Sequence, residues 1–200
     1  MSDVLPTRGA ALELAEEKRF MEMGYEFLDE KRTLLAKTLL DELERWREVR
    51  VSYDEAMTAA VAALKAAIAR HGVESLELYP GGEGQATGLD FRMRRFLGLD
   101  LFESGGSTWE IPGPVDTLDA SQSAEDCRAA FAALVPIAVL CAVHANNITR
   151  LIRDYQATER RSRALENVIL PETTHALARV EDLLSEIDQE EALRTRMPRR

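Results

Sequence analysis

The run LLAKTLLDELERWREVRVSYDEAMTAAVAALKAAI, residues 34–68, decides the fold. Its apolar side chains fall at Leu34, Leu39, Leu43, Trp46, Val49, Tyr53, Met57, Val61, Leu64 and Ile68, in steps mostly of three and four. That is the period of one helix face, and charged residues fill the other faces. Phe20, Met23 and Phe27 carry the pattern toward the N-terminus, and no proline falls between residues 8 and 70. A single helix over that range would be roughly 90 Å long at 1.5 Å per residue. Helices of ordinary globular domains are far shorter, so a coiled coil is the reading.

The last third repeats the pattern. Ser123 is the expected N-cap, with acidic residues following in the first turn. Cys127, Phe131, Leu134, Ala138, Cys141, Ile148, Ile152, Tyr155, Leu165, Ile169, Val180, Leu184 and Ile187 then continue the helical spacing. Pro136 and Pro171 interrupt it, and because the pattern resumes beyond each, both are expected to bend the helix rather than end it.

The material between is different. Residues 72–122 hold nine of the chain's 11 glycines and three of its 7 prolines. ESLELY (74–79), LDFRMRRFLGLDLFE (89–103) and STWEI (107–111) read as strands, with PGGEG and SGGS as turn signals. The predicted fold is mainly α: a long antiparallel two-helix coiled coil, a helical hairpin with a small β-containing knob in the middle of the chain. Its predicted segments are a first long helix over 1–71, the knob over 72–122 and a second long helix over 123–200.

Composition narrows the function classes. The chain of 200 residues carries a formal net charge of −10 and only 6% aromatics. An acidic surface argues against nucleic-acid binding, which needs cations along the phosphate path. Cys127 and Cys141 have no metal-ligand spacing and read as buried free thiols. The N-terminal MSDVLPTR lacks the apolar core of a signal peptide. AAFAALVPIAVLCAV, residues 129–143, is uncharged but falls short of the ~20 apolar residues that span a bilayer, so no membrane insertion is expected. His71, His144 and His175 are scattered, and His144 with Asn146 and Asn147 reads as a polar patch on a helix. No nucleophile, metal or phosphate-loop motif occurs, and PGGEG lacks the lysine of a phosphate cradle. The expectation is a non-catalytic protein without a cofactor.

In an antiparallel hairpin turning near residue 97, facing residues should have numbers adding to about 195–200. This register sets AMTAAVAALKAAIA (56–69) beside AAFAALVPIAVLCAV. Both stretches are apolar over more of their circumference than two helices can bury, so a third element is expected to cover them. It also brings Lys31, Arg32 and Lys37 level with Arg160, Arg161 and Arg163, as a cationic belt on an acidic rod. A belt of that kind could guide a sliding contact with acidic surfaces.

RRSRALENVILPE (160–172) resembles the C-terminal signature of the D subunit of V-type and A-type ATPases. PTR (6–8), Gly24 and LDEKRTLL (28–35) are similar to the family's N-terminal block, and MRRFLGLDL (93–101) to its short central strand. Arg163 stands where the family usually has asparagine. The resemblance covers almost the whole chain and implies a central-stalk rotor subunit coupling ATP hydrolysis or synthesis to ion translocation. Implied partners are the catalytic and non-catalytic head subunits (A and B), the small F subunit of the stalk, and the subunit capping the proteolipid ring. The belt of Lys31, Arg32, Lys37, Arg160, Arg161 and Arg163 would meet the head. Val61, Leu64, Phe131, Leu134 and Ile137 would meet the small stalk subunit. The implied location is cytoplasmic, peripheral to a membrane. The alternative is a coiled-coil adaptor or scaffold without a motor role.

Overall fold

A computed structural model describes residues 7–77, 89–107 and 121–196. Helix α1 runs over Arg8–His71, a short α2 over Val73–Glu77, strands β1 and β2 over Leu89–Phe96 and Leu99–Ser107, and helix α3 over Gln122–Ala164. A π-helical turn, Leu165–Ile169, leads directly into α4, Leu170–Arg196. The fold is the expected one, long helices at both ends of the chain with a two-stranded antiparallel sheet between them. The residues group into two compact units, one of 1–35 with 155–200 and one of 36–154.

Local chemistry explains the element boundaries. The backbone N–H of Ala124 donates to Ser121 Oγ at 3.2 Å, so Ser121 caps α3. The expected cap, Ser123, lies one residue inside the helix, with its hydroxyl 3.1 Å from that of Ser121. His71, the last residue of α1, hydrogen-bonds to the same Ser121 hydroxyl. The end of α1 and the start of α3 are thus tied, which fixes the helix register within the unit of 36–154. Pro136 lies inside α3, and the helix continues through it. Strand β1 turns into β2 at Leu97 and Gly98, both with positive φ (48° and 87°), the backbone of a tight two-residue hairpin.

The first expected strand is a correction. Residues 74–77 of ESLELY lie in the helical turn Val73–Glu77, which follows Gly72 at positive φ and has no facing strand to pair with among the described residues; residues 78–79 lie outside the described residues. SGGS at 104–107 is not a turn but the end of β2, where the pairing slips between Leu89 and Phe91. PGGEG and residues 108–111 of STWEI lie outside the described residues.

In the unit of 1–35 with 155–200, α1 buries Leu35 fully and partly buries Leu14, Met21 and Leu28, a seam in steps of seven. Thr158, Ser162, Thr173 and Val180 are buried on the returning helix. The expected stripe at Phe20, Met23, Phe27 and Leu34 has the right period but lies outside this seam, and all four side chains are exposed. Two apolar stripes share this helix, and the narrower one is inside. Gly24 faces Leu165, and a methyl group added there would stand 3.9 Å from Leu165 Cδ1. Bulky phenylalanines do not suit so close a seam.

The π turn keeps the returning helix in register. Leu170 N–H donates to Leu165 O, five residues back instead of four. Pro171 has no N–H, and in an ordinary turn its ring would collide with the carbonyl four residues earlier. A turn widened by one residue relieves that clash. It also advances the buried face by one position. Continuing the spacing of Thr158, Ser162, Leu165 and Ile169 without the extra residue would turn Glu172 and Arg179 inward. With it, Thr173 and Val180 are buried while Glu172 and Arg179 are exposed.

In the unit of 36–154, Ala60, Ala67, Ala124, Cys127, Ala132, Leu134, Val143 and Leu151 form the buried face, with Leu101 from the β-hairpin. Two alanines at zero exposure allow helix backbones to come close. Cys127 is a buried free thiol, and burial raises its pKa. Cys141 is a free thiol at intermediate burial.

Candidate functional site

One polar cluster pins the β-hairpin to the helices. Glu42 and Asn147 are 5% and 3% exposed. Phe102 N–H donates to Asn147 Oδ1 at 2.9 Å, and Asn147 Nδ2 donates to Phe102 O and to Glu42 Oε1, both at 2.8 Å. The amide therefore replaces a neighbouring strand, satisfying the open edge of β2 at one residue. His144 Nδ1 lies 2.8 Å from the same Glu42 oxygen, and Arg45 approaches its other oxygen at 3.6 Å. Arg150 donates to Asp100 O at 2.9 Å while its guanidinium lies 4.6 Å from the Phe102 ring centre. The sequence reading took His144, Asn146 and Asn147 for a polar patch on a helix. The missed signal is Glu42, a carboxylate at a position where the period calls for an apolar side chain.

The expected belt is partly assembled. Arg32 donates to Glu159 Oε2 at 2.9 Å and to Asp29 Oδ1 at 2.5 Å, and Arg163 donates to Glu159 Oε1 at 2.8 Å. Facing Arg32 is thus Glu159 itself, four residues before Arg163, a register a little tighter than sums of 195–200 assumed. The two guanidiniums hold the Glu159 carboxyl below the usual carboxylate range, the Arg32 hydrogen bond being the largest cause. Arg160 and Arg161 are exposed, and Lys31 is half-buried with an interaction of its own. Lys37 is exposed and belongs to the other unit.

Of the residues expected at a small partner, Val61 and Phe131 are each 37% exposed. Leu64 and Ile137 are half-buried, and Leu134 belongs to the chain's own core. The helical run Gln122–Arg196 contains a window long and apolar enough to cross a membrane by length and composition, and only 17% of it is buried. Among the described residues no group of three or more His, Cys, Asp or Glu could hold a metal ion.

The described polar clusters are spent on holding the β-hairpin and the helix seam. Comparison with known proteins gives the fold a family. Residues 10–200 match the family described as the ATP synthase D subunit, and the chain belongs to that family. It is 25% identical to a V-type ATP synthase D subunit from Thermotoga neapolitana, across 96% of this chain and 94% of that one. It is 28% identical to a V-type D subunit from Anaeromyxobacter sp., across 98% and 95%. Against an A-type D subunit from Methanopyrus kandleri the identity is 24%, across 97% and 84%. The chain is a central-stalk subunit of the V/A-type ATP synthase kind.

Proposed function

We propose that this chain is the turning shaft of its complex, with the paired terminal segments of 8–35 and 155–196 entering the catalytic head. The β-hairpin then lies toward the subunit that caps the proteolipid ring, and the small F subunit docks on the coil around Val61 and Phe131. The observation that carries this reading is the match of the family across residues 10–200 together with the long helices at both ends of the chain. A shaft must resist twisting, and the seam with the one-residue slip before Pro171 supports pairing in the unit of 1–35 with 155–200, as the Glu42 cluster does in the unit of 36–154. Its chemistry is mechanical, with ATP handled by the head subunits, and its place is peripheral to the membrane on the cytoplasmic side.

The cationic belt supports a graded electrostatic contact in the head. Arg160 and Arg161 are exposed, while Arg32 and Arg163 are already engaged by Glu159. The testing experiment is gentle purification of the tagged chain from its source. Co-purification with catalytic and non-catalytic head subunits is expected, and recovery of the chain with only itself would refute the shaft. Arg160→Gln with Arg161→Gln should lower ATP-driven ion pumping, and unchanged pumping would remove the belt from the mechanism.

A further inference from the structure

The β-hairpin is held to the helices through a cluster that includes a histidine. Glu42 Oε1 accepts from Asn147 Nδ2 and stands 2.8 Å from His144 Nδ1. An ionised carboxylate only accepts, so Nδ1 carries a hydrogen and Nε2 is the nitrogen that takes up or releases the second proton. The Glu42 side chain is 6% exposed and that of His144 14%, so the carboxylate is buried while the ring keeps some contact with water. From α1, Arg45 approaches the other Glu42 oxygen at 3.6 Å, but its side chain is 61% exposed and solvent weakens the pair. From the hairpin, the charged neighbours are Asp100 and Glu103, whose carboxylates pair with Arg95 and Arg94. From α3, Arg150 is engaged by Asp100 O and the Phe102 ring. An imidazolium at His144 therefore decides how well the Glu42 charge is compensated.

Asn147 carries the effect to the hairpin. Both hydrogens of Nδ2 are used, one on Glu42 Oε1 and one on Phe102 O, while Oδ1 accepts the Phe102 N–H. Glu42 thus fixes the orientation in which the amide serves both backbone groups of Phe102. We propose that Glu42, His144 and Asn147 form a proton-controlled latch on the β-hairpin. With His144 charged, the carboxylate stays dry and the amide stays aligned. With His144 neutral, the carboxylate recruits water, the amide loses its fixed acceptor, and β2 opens at Phe102. The latch is therefore firm on the acid side of the ordinary imidazole range and loosens as pH rises through it. It also needs Glu42 ionised, so it fails again in strong acid. The latch lies wholly within the unit of 36–154 and holds whether or not the chain turns as a shaft.

Residue-resolved amide exchange on the full-length chain tests the latch, with the Phe102 N–H as reporter because its acceptor is Asn147 itself. Its protection, relative to an unstructured amide at the same pH, should fall at least about fivefold between about pH 5.5 and about pH 8. Val143 and Leu151, buried in α3, should not follow it. His144→Gln can still donate to Glu42 but never carries charge, and it should show the lower protection at both pH values. Glu42→Gln keeps an acceptor for Asn147 and should likewise lose the pH dependence. Circular dichroism checks that each variant is folded, and either one alone suffices. Protection at Phe102 in the unaltered chain that stays within about twofold across this range would overturn the latch. So would an unchanged pH dependence in a folded variant, or a parallel loss at Val143 and Leu151, the mark of general loosening of the unit.

Discussion

Replacing Asn147 by Leu removes three hydrogen bonds while keeping the branched four-heavy-atom shape of the side chain. Two of them join the amide to the Phe102 backbone, at 2.9 and 2.8 Å, and one reaches the buried Glu42 carboxylate at 2.8 Å. A neutral bond in such a place contributes about 1 kcal/mol and a bond to a charged group about 1.5–3 kcal/mol. The loss should therefore be about 4 kcal/mol, part of it the cost of leaving the Phe102 N–H and C=O without the amide, while Glu42 Oε1 keeps His144 Nδ1 at 2.8 Å. For a chain of this size that corresponds to a fall in Tm of about 8–16 °C if unfolding is cooperative. Because the chain forms two compact units, amide exchange is the sharper assay. Protection at Leu101 and Phe102 should collapse, while amides in the segments 8–35 and 155–196 keep theirs. A loss under about 1 kcal/mol with protection at Phe102 intact would refute the claim that one side chain closes the edge of β2.

Glu159→Gln should separate from the unaltered protein in a pH-dependent way. The folded-state pKa of Glu159 is depressed, so its contribution is present above the ordinary carboxylate range and is lost as pH falls through the folded value. The difference in Tm should be largest near neutrality and vanish on acidification. A constant gap would show that Arg32 and Arg163 do not act through the ionised carboxylate. Gly24→Ala should stabilise by about 0.5–1 kcal/mol through helix propensity, since the added methyl meets Leu165 at an ordinary 3.9 Å; destabilisation in thermal melts would mean the seam is tighter than that. Deleting Val168 together with Pro171→Ala should restore an uninterrupted α-helix with Thr173 and Val180 still inward, so limited proteolysis of the C-terminal segment should not accelerate; acceleration would dismiss the π turn as a one-residue register device. Cys127, buried and with its pKa raised, should react with a thiol reagent much more slowly than Cys141, and equal rates under native conditions would contradict its burial.

The helices and their approximate ends were legible in the sequence because each depends on neighbours only a few residues away, whereas LDFRMRRFLGLDLFE read as one strand run and the structure splits it at Leu97 and Gly98. The spacing of apolar residues and the lack of proline from 8 to 70 act locally. The blocks at 28–35, 93–101 and 160–172 also pointed to the family, which the match over residues 10–200 establishes. What the sequence did not determine is which face of a helix turns inward. Phe20, Met23 and Phe27 have the same period as Leu14, Met21 and Leu28, and only the closeness of the opposing helix at Gly24 selects the second set. The extra residue of the π turn likewise becomes visible only when burial switches from one phase to the next between Ser162 and Thr173. Asn147 read only as part of a polar patch because its partners, Glu42 and the Phe102 backbone, are 105 and 45 residues away. Periodicity is a property of one chain segment, whereas facing, register and the satisfaction of a buried polar group are properties of two segments brought together, and those only the tertiary structure decides.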